Sequence, residues 1–299
     1  MLLLGVLTVA LALVGCSASS TPTPTEVSTD GTVAVVASTD VWGNVVQLVG
    51  GDHVHVTSLI SDPTVDPHSY EANAQGQLAI SKAALVVKNG GGYDDFVDTM
   101  IEASNATVPV IDAAQVSGKT AGPDGALNEH VWYDFPTVHK VAERITADLT
   151  RLDAANTADY ARRFAAFADQ LDTLVTRTDD IAATSAGTGV AVTEPVPLYL
   201  IEAAGLVDKT PDGFSEAIEN GTDVPVAVLN EMIALFTDKA VTALVYNSQT
   251  TGPQTDLVVQ AARDNDIAEV PVTETLPAGQ DYVTWMSATI EALRKAVAP

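Results

Sequence analysis

The sequence predicts an α/β protein of two Rossmann-like lobes with parallel sheets, joined by one long connecting α-helix. Three observations predict it. Short apolar runs alternate with helical patterns from Val33 to Ile111. From Pro136 to about Ser185 no strand fits, and the pattern is nearly unbroken helix. Beyond that stretch the alternation returns in the same order.

Each element follows from its residues. Val33-Ala34-Val35-Val36-Ala37 is an apolar run of the kind buried on both faces of a parallel sheet, and it stops at Ser38-Thr39-Asp40. Residues 40–50 place Val41, Trp42, Val45, Val46 and Val49 on one helical face, closed by Gly50-Gly51. Val54 to Ile60 is the second strand, residues 74–82 a helix, and Ala84-Leu85-Val86-Val87 the third strand, stopped by Asn89-Gly90-Gly91-Gly92. A helix over 94–103 and a strand Val108-Pro109-Val110-Ile111 complete the first lobe. Residues 136–152 form one connector helix. A second, N-capped by Thr157, carries Tyr160, Phe164, Phe167, Leu171, Leu174 and Ile181 at helical spacing. In the second lobe, Gly189 to Val192 is a strand ending at Thr193-Glu194, followed by a helix through Leu198, Ile201 and Ala204. Leu229 to Phe236 is helical, Val241 to Tyr246 and Ile267 to Val272 are strands, and 281–297 is the terminal helix. Ala84-Leu85-Val86-Val87-Lys88-Asn89 and Ala243-Leu244-Val245-Tyr246-Asn247 share an order, a strand and then Asn, consistent with a repeated lobe.

Composition narrows the function. The 299 residues are 46% hydrophobic, enough for a large core, and carry a formal net charge of -25 from 39 acids and 14 bases. Such a surface excludes nucleic acid as a partner and is compatible with attracting cations. The single cysteine, Cys16, rules out an internal disulfide. It follows an uncharged apolar stretch, residues 1–15, with the length and polarity of a signal-peptide core. Leu13-Val14-Gly15-Cys16 resembles the bacterial lipobox, whose cysteine is lipidated. No Lys or Arg precedes the apolar run, so the true start is expected upstream of Met1. The domain boundaries expected are 1–15 signal peptide, 16–31 lipidated cysteine and Ser/Thr/Pro tether, 32–135 first lobe, 136–187 helical connector and 188–299 second lobe.

Two of the five histidines stand in polar loops. His68 lies in Asp66-Pro67-His68-Ser69-Tyr70-Glu71, just beyond a predicted strand. His130 lies in Asn128-Glu129-His130-Val131-Trp132-Tyr133-Asp134, ahead of the connector. A metal-bound imidazole needs an acceptor for its other ring N–H; Asp66 and Glu71 are placed to serve His68, Asn128 and Glu129 to serve His130. Pro67 fixes the backbone beside His68, and Trp132 excludes water beside His130. A lone loop histidine is more often a hydrogen-bonded surface group than a ligand. His53 and His55 alternate with Val54 and Val56 on the polar side of one strand, and His139 is mid-helix.

Two acids sit in comparable settings. Glu194 directly follows a buried strand, where an anion is costly unless paired or bound to a cation. Its plainer role is an acid at a helix N-terminus. Asp281 opens the last helix, and N-capping is its plainer role. Ligands of open α/β sheets bind beyond the carboxyl ends of strands, so His68, His130, Glu194 and Asp281 are expected to face one cleft. Two imidazoles and two carboxylates suit a divalent transition metal. The sequence has no Walker loop, Gly-x-Ser-x-Gly or His-Glu-x-x-His, and no spare motif for a metallohydrolase.

Val35-Val36-Ala37-Ser38, Gly51-Asp52-His53-Val54, the His68 and His130 segments, Asn89-Gly90-Gly91-Gly92-Tyr93 and Thr273-Glu274-Thr275-Leu276-Pro277 before Asp281-Tyr282 resemble the metal-binding lipoproteins of bacterial zinc and manganese ABC importers. The likeness runs from Thr32 to the C-terminus. It implies two lobes on a rigid helix, metal ligands His68, His130, Glu194 and Asp281, and no enzymatic activity. It also implies a monomer, anchored by lipid to the outer face of the cell membrane, that delivers Mn2+ or Zn2+ to an ABC permease and its ATPase. The third ligand of that family is histidine in zinc importers and often glutamate in manganese importers, so Glu194 favours manganese. Ser117 to Leu127 is short and lacks the histidines of the zinc members' loop. A zinc-specific lipoprotein and a surface adhesin of the same fold are the alternatives.

Overall fold

The computed structural model describes residues 31–62, 70–122, 127–250 and 252–298. His68 and Cys16 lie outside them. The first lobe runs β1 (Val33–Thr39), α1 (Asp40–Gly50), β2 (Val54–Ile60), α2 (Ala74–Ser81), β3 (Leu85–Lys88), α3 (Phe96–Ser104), β4 (Val110–Asp112) and α4 (Ala113–Ser117). Its four strands are all parallel, in the order β2-β1-β3-β4. The second lobe runs β5 (Gly189–Val192), α7 (Leu198–Ala203), β6 (Val207–Asp208), α8 (Phe214–Glu219), α9 (Val226–Thr237), β7 (Ala243–Asn247), α10 (Pro253–Asp264), β8 (Ala268–Val272) and α11 (Tyr282–Ala296). Its sheet is also parallel, in the order β6-β5-β7-β8. The two sheets share one topology, so the weak echo in the sequence is a true structural repeat.

Between them stand α5 (Phe135–Leu152) and α6 (Thr157–Ser185). Asp134 caps α5, its Oδ2 accepting from the Thr137 N–H at 3.1 Å, and Val138, Val141, Ala142, Ile145 and Leu149 form its buried stripe. Helix α6 has 29 residues, roughly 40 Å of rise. It packs on α1 and α5 and also on α7 and α11 of the second lobe. One apolar cluster therefore runs without a break from Val35 and Val87 in the first sheet, through Phe167 and Leu171, to Val192 and Val245 in the second.

Two local expectations are corrected. Thr157 is the first helical residue of α6, not its cap; the chain enters through a 3-10 turn over Ala154–Asn156, and Thr157 Oγ1 donates back to Ala154 O. His53 belongs to a 3-10 turn (Gly51–His53) rather than to β2, and its Nε2 lies 3.0 Å from Asp159 Oδ2 on α6. It ties the lobe to the connector, while His55 stays exposed on β2. Four elements had no counterpart in the sequence reading: α4, β6, α8 and α10.

Candidate metal centre

In each sheet the chain leaves the two central strands in opposite directions, and the crevice beyond their carboxyl ends is where such folds bind ligands. In the first lobe that crevice holds the loop after β3. Gly90, Gly91 and Gly92 take φ of 74°, 72° and 99°, a left-handed run that glycine alone adopts without strain. Buried Asp94 closes it by accepting from the N–H groups of Asn89 (2.6 Å) and Gly90 (2.8 Å). Asn89 is held by Trp42, whose Nε1–H donates to Asn89 Oδ1 at 3.1 Å, and its own Nδ2 donates to Glu129 O at 2.8 Å. This fixes the backbone just before His130. The second lobe repeats the device. Asn247 ends β7, and its Nδ2 donates to Glu274 Oε1 at 2.7 Å.

His130 is fully buried, edge-on to Trp132 at 5.1 Å between ring centroids. Its tautomer follows from Asn128. Asn128 Oδ1 accepts from the His130 backbone N–H at 3.1 Å and lies 2.8 Å from His130 Nδ1, while Asn128 Nδ2 donates to Pro195 O at 3.1 Å. An oxygen must therefore face Nδ1, so Nδ1 carries a proton. In the neutral ring the lone pair is then on Nε2. That atom points at carboxylates, 3.4 Å from Glu219 Oε1 and 3.9 Å from Glu274 Oε2. Acceptors converging on an imidazole lone pair require a cation between them, a proton or a metal ion. Asn128, not Glu129, supplies the acceptor that orients the ring. Asn128→Ala is expected to weaken metal affinity about 10- to 100-fold with the fold intact, checked by titration and circular dichroism.

Glu194 follows β5 by two residues and is 3% exposed. Its Oε2 is buried with no hydrogen-bond partner among the described residues. Burial pushes its carboxyl up to about 8; the charges of Glu219 and Glu274 add to this, and Asn247 and Thr250 offset part of it. Glu274 follows β8 by two residues and is equally buried. Tyr93 donates its hydroxyl to Glu274 Oε2 at 3.1 Å, bridging the lobes, and Gln249 Oε1 accepts from the N–H groups of Glu274 and Thr275. Buried carboxylates held beside an imidazole lone pair suit a site for a dication.

The structure places Glu219 and Glu274 beside His130, and the charges of both glutamates reach Glu194; sequence reasoning named neither glutamate as a ligand. It does not bring Asp281 to them. Asp281 Oδ1 accepts from the Thr284 N–H at 2.7 Å as the N-cap of α11. Glu274 had a signal: it stands beyond its strand as Glu194 does. Among the described residues no three His, Cys, Asp or Glu side chains already stand in a coordination sphere.

The family model described as zinc-uptake complex component A, periplasmic, matches residues 35–296. The manganese-binding lipoprotein MntA of Bacillus subtilis is 24% identical over 269 residues, 88% of this chain and 85% of that protein. A putative metal-binding protein of Treponema pallidum and the MntA lipoprotein of Halalkalibacterium halodurans are each 26% identical, but the match spans only about half their length, 54% and 55%. Among solved structures, the periplasmic zinc-binding protein TroA from Treponema pallidum superposes with a TM-score of 0.75 at 20% identity, covering 90% of this chain and all of that one. FpvC from Pseudomonas aeruginosa in complex with Mn2+ superposes with a TM-score of 0.72 at 20% identity, covering 89% and 98%.

Proposed function

Because the chain belongs to the family of periplasmic zinc-uptake component A proteins, which are solute-binding proteins of transporters and not enzymes, we propose that it captures a divalent transition metal between its lobes and delivers it to an ABC permease with its ATPase. The observation that carries this reading is the convergence of carboxylates on His130 Nε2 in a buried interlobe site. His130, Glu194 and Glu274 are the proposed ligands; His68, outside the described residues, is proposed as a fourth by its sequence setting.

Manganese is the favoured cargo and zinc the second. Carboxylate in place of imidazole hardens a site toward manganese, although zinc binds most nitrogen and oxygen sites more tightly at equal supply. Relatives named for each metal match this chain, so the preference for manganese rests on the donor set alone. Metal analysis of protein purified without chelator, followed by Mn2+/Zn2+ competition, tests the reading. One equivalent of metal, with measurable Mn2+ binding in competition, is expected; protein that binds neither ion contradicts it.

Anchoring through Cys16 is part of the proposal, since the MntA relatives are named lipoproteins. Mass spectrometry of the membrane fraction is expected to find a diacylglyceryl adduct on Cys16, and an unmodified cysteine removes the anchor from the account.

A further inference from the structure

We propose that Glu219 is a further metal ligand, a third carboxylate that biases the site toward an ion of higher coordination number than zinc. The inference rests on the metal-binding reading above and deepens it. Glu219 is the last residue of α8, an element of the second lobe remote in sequence from the other donors. Its side chain is 12% exposed, and its Oε1 lies 3.4 Å from His130 Nε2, nearer than Glu274 Oε2 at 3.9 Å. The charge of Glu219 is felt at Glu194 and at Tyr93, so it belongs to the same cluster.

The position is one that a nearby cation stabilises. The C-terminal end of a helix carries partial negative charge and disfavours an anion. Burial beside two further buried acids adds desolvation and repulsion. A cation at His130 Nε2 offsets all of these at once. Glu219 also lines a cavity of about 540 Å³ with Asn128, Tyr199, Glu202 and Glu216, so it faces both the buried cluster and the open interlobe space.

The chemistry says which ion gains. Zinc is filled by four donors in a tetrahedron, whereas manganese takes six, mostly oxygen. His130 gives one nitrogen, and Glu194, Glu274 and Glu219 offer up to two oxygens each, enough for six donors. Three carboxylates around a dication leave a net negative centre, which favours hard, oxygen-seeking cations over borderline ones.

The test compares Mn2+ and Zn2+ affinities of the full chain, Glu219→Gln and Glu219→Asp, with Glu194→Ala as control and circular dichroism of the metal-free forms to verify folding. Glu219→Gln is expected to lose about 10-fold or more in Mn2+ affinity and distinctly less in Zn2+ affinity, with Glu219→Asp recovering part of the Mn2+ loss. Unchanged Mn2+ affinity in a folded Glu219→Gln protein overturns the assignment, as does an equal loss for both ions. If Glu194→Ala retains both affinities, the metal-site reading itself fails; if Glu194→Ala is inactive and Glu219→Gln is unaffected, only the role of Glu219 fails.

Discussion

Glu274→Ala and Glu194→Ala are each expected to abolish high-affinity metal binding, a loss of more than about 100-fold or roughly 3 kcal/mol, while Asp281→Ala leaves affinity unchanged. The contrast follows from geometry. Glu274 Oε2 lies 3.9 Å from His130 Nε2 and is aimed there by Tyr93 and Asn247. Asp281 is occupied in capping α11, so its removal is expected to cost about 1 kcal/mol of stability and a few degrees of melting temperature. Isothermal titration of the three variants, each with a melting curve, separates the two roles. Loss of binding in Asp281→Ala with retention in Glu274→Ala would reverse the assignment.

The metal-free protein is expected to lose stability as pH rises from about 4.5 to about 8. The Glu194 carboxyl sits at about 8 in the folded chain, against an ordinary value of 4.5. A raised folded value means that the native state holds a proton which the unfolded chain has released. Its contribution is complete below the ordinary value and is gone once pH passes the folded value. One such proton gives a slope of up to about 1.4 kcal/mol per pH unit. Asp40, raised to about 6 chiefly by burial, acts in the same direction below that pH. Thermal unfolding of metal-free protein across this range checks the slope, and Glu194→Gln is expected to flatten it. Metal binding needs the ionised carboxylate, so uptake at neutral pH is expected to release a proton and to tighten as pH rises toward 8. Calorimetry in buffers of different ionisation enthalpy reads that proton directly.

The fold was legible because its strands are buried on both faces. Val33 to Ala37, Leu85 to Val87 and Ala243 to Val245 are continuous apolar runs that admit few alternatives. The strand-then-Asn repeat was legible too, and its physical sense is now plain: Asn89 and Asn247 each reach from a central strand end to hold the segment that presents a ligand. Elements with no apolar signature were not readable. Strand β6 is two exposed residues, and α8 is a six-residue helix that gives Glu219 no periodic context.

For the site, His130 and Glu194 stand out in the sequence by their place next to strands and connector. Glu274 was within reach of the same rule, since it follows Val272 at the distance at which Glu194 follows Val192. Asp281 drew attention from it because an acid before a helix resembles a ligand as readily as a cap. Only the hydrogen bond to the Thr284 N–H separates the two roles. Asn128 was named as one of two supports for His130, but its double hold, on the ring and on Pro195 across the cleft, is a property of three-dimensional contact.

The most direct test of the central claim is a crystal structure of the chain loaded with Mn2+, with anomalous scattering recorded at the manganese edge. One strong peak is expected within bonding distance of His130 Nε2 and of the carboxylates of Glu194 and Glu274. A peak elsewhere in a protein that binds one equivalent of manganese, or a peak coordinated by Asp281 and not by Glu274, would contradict it.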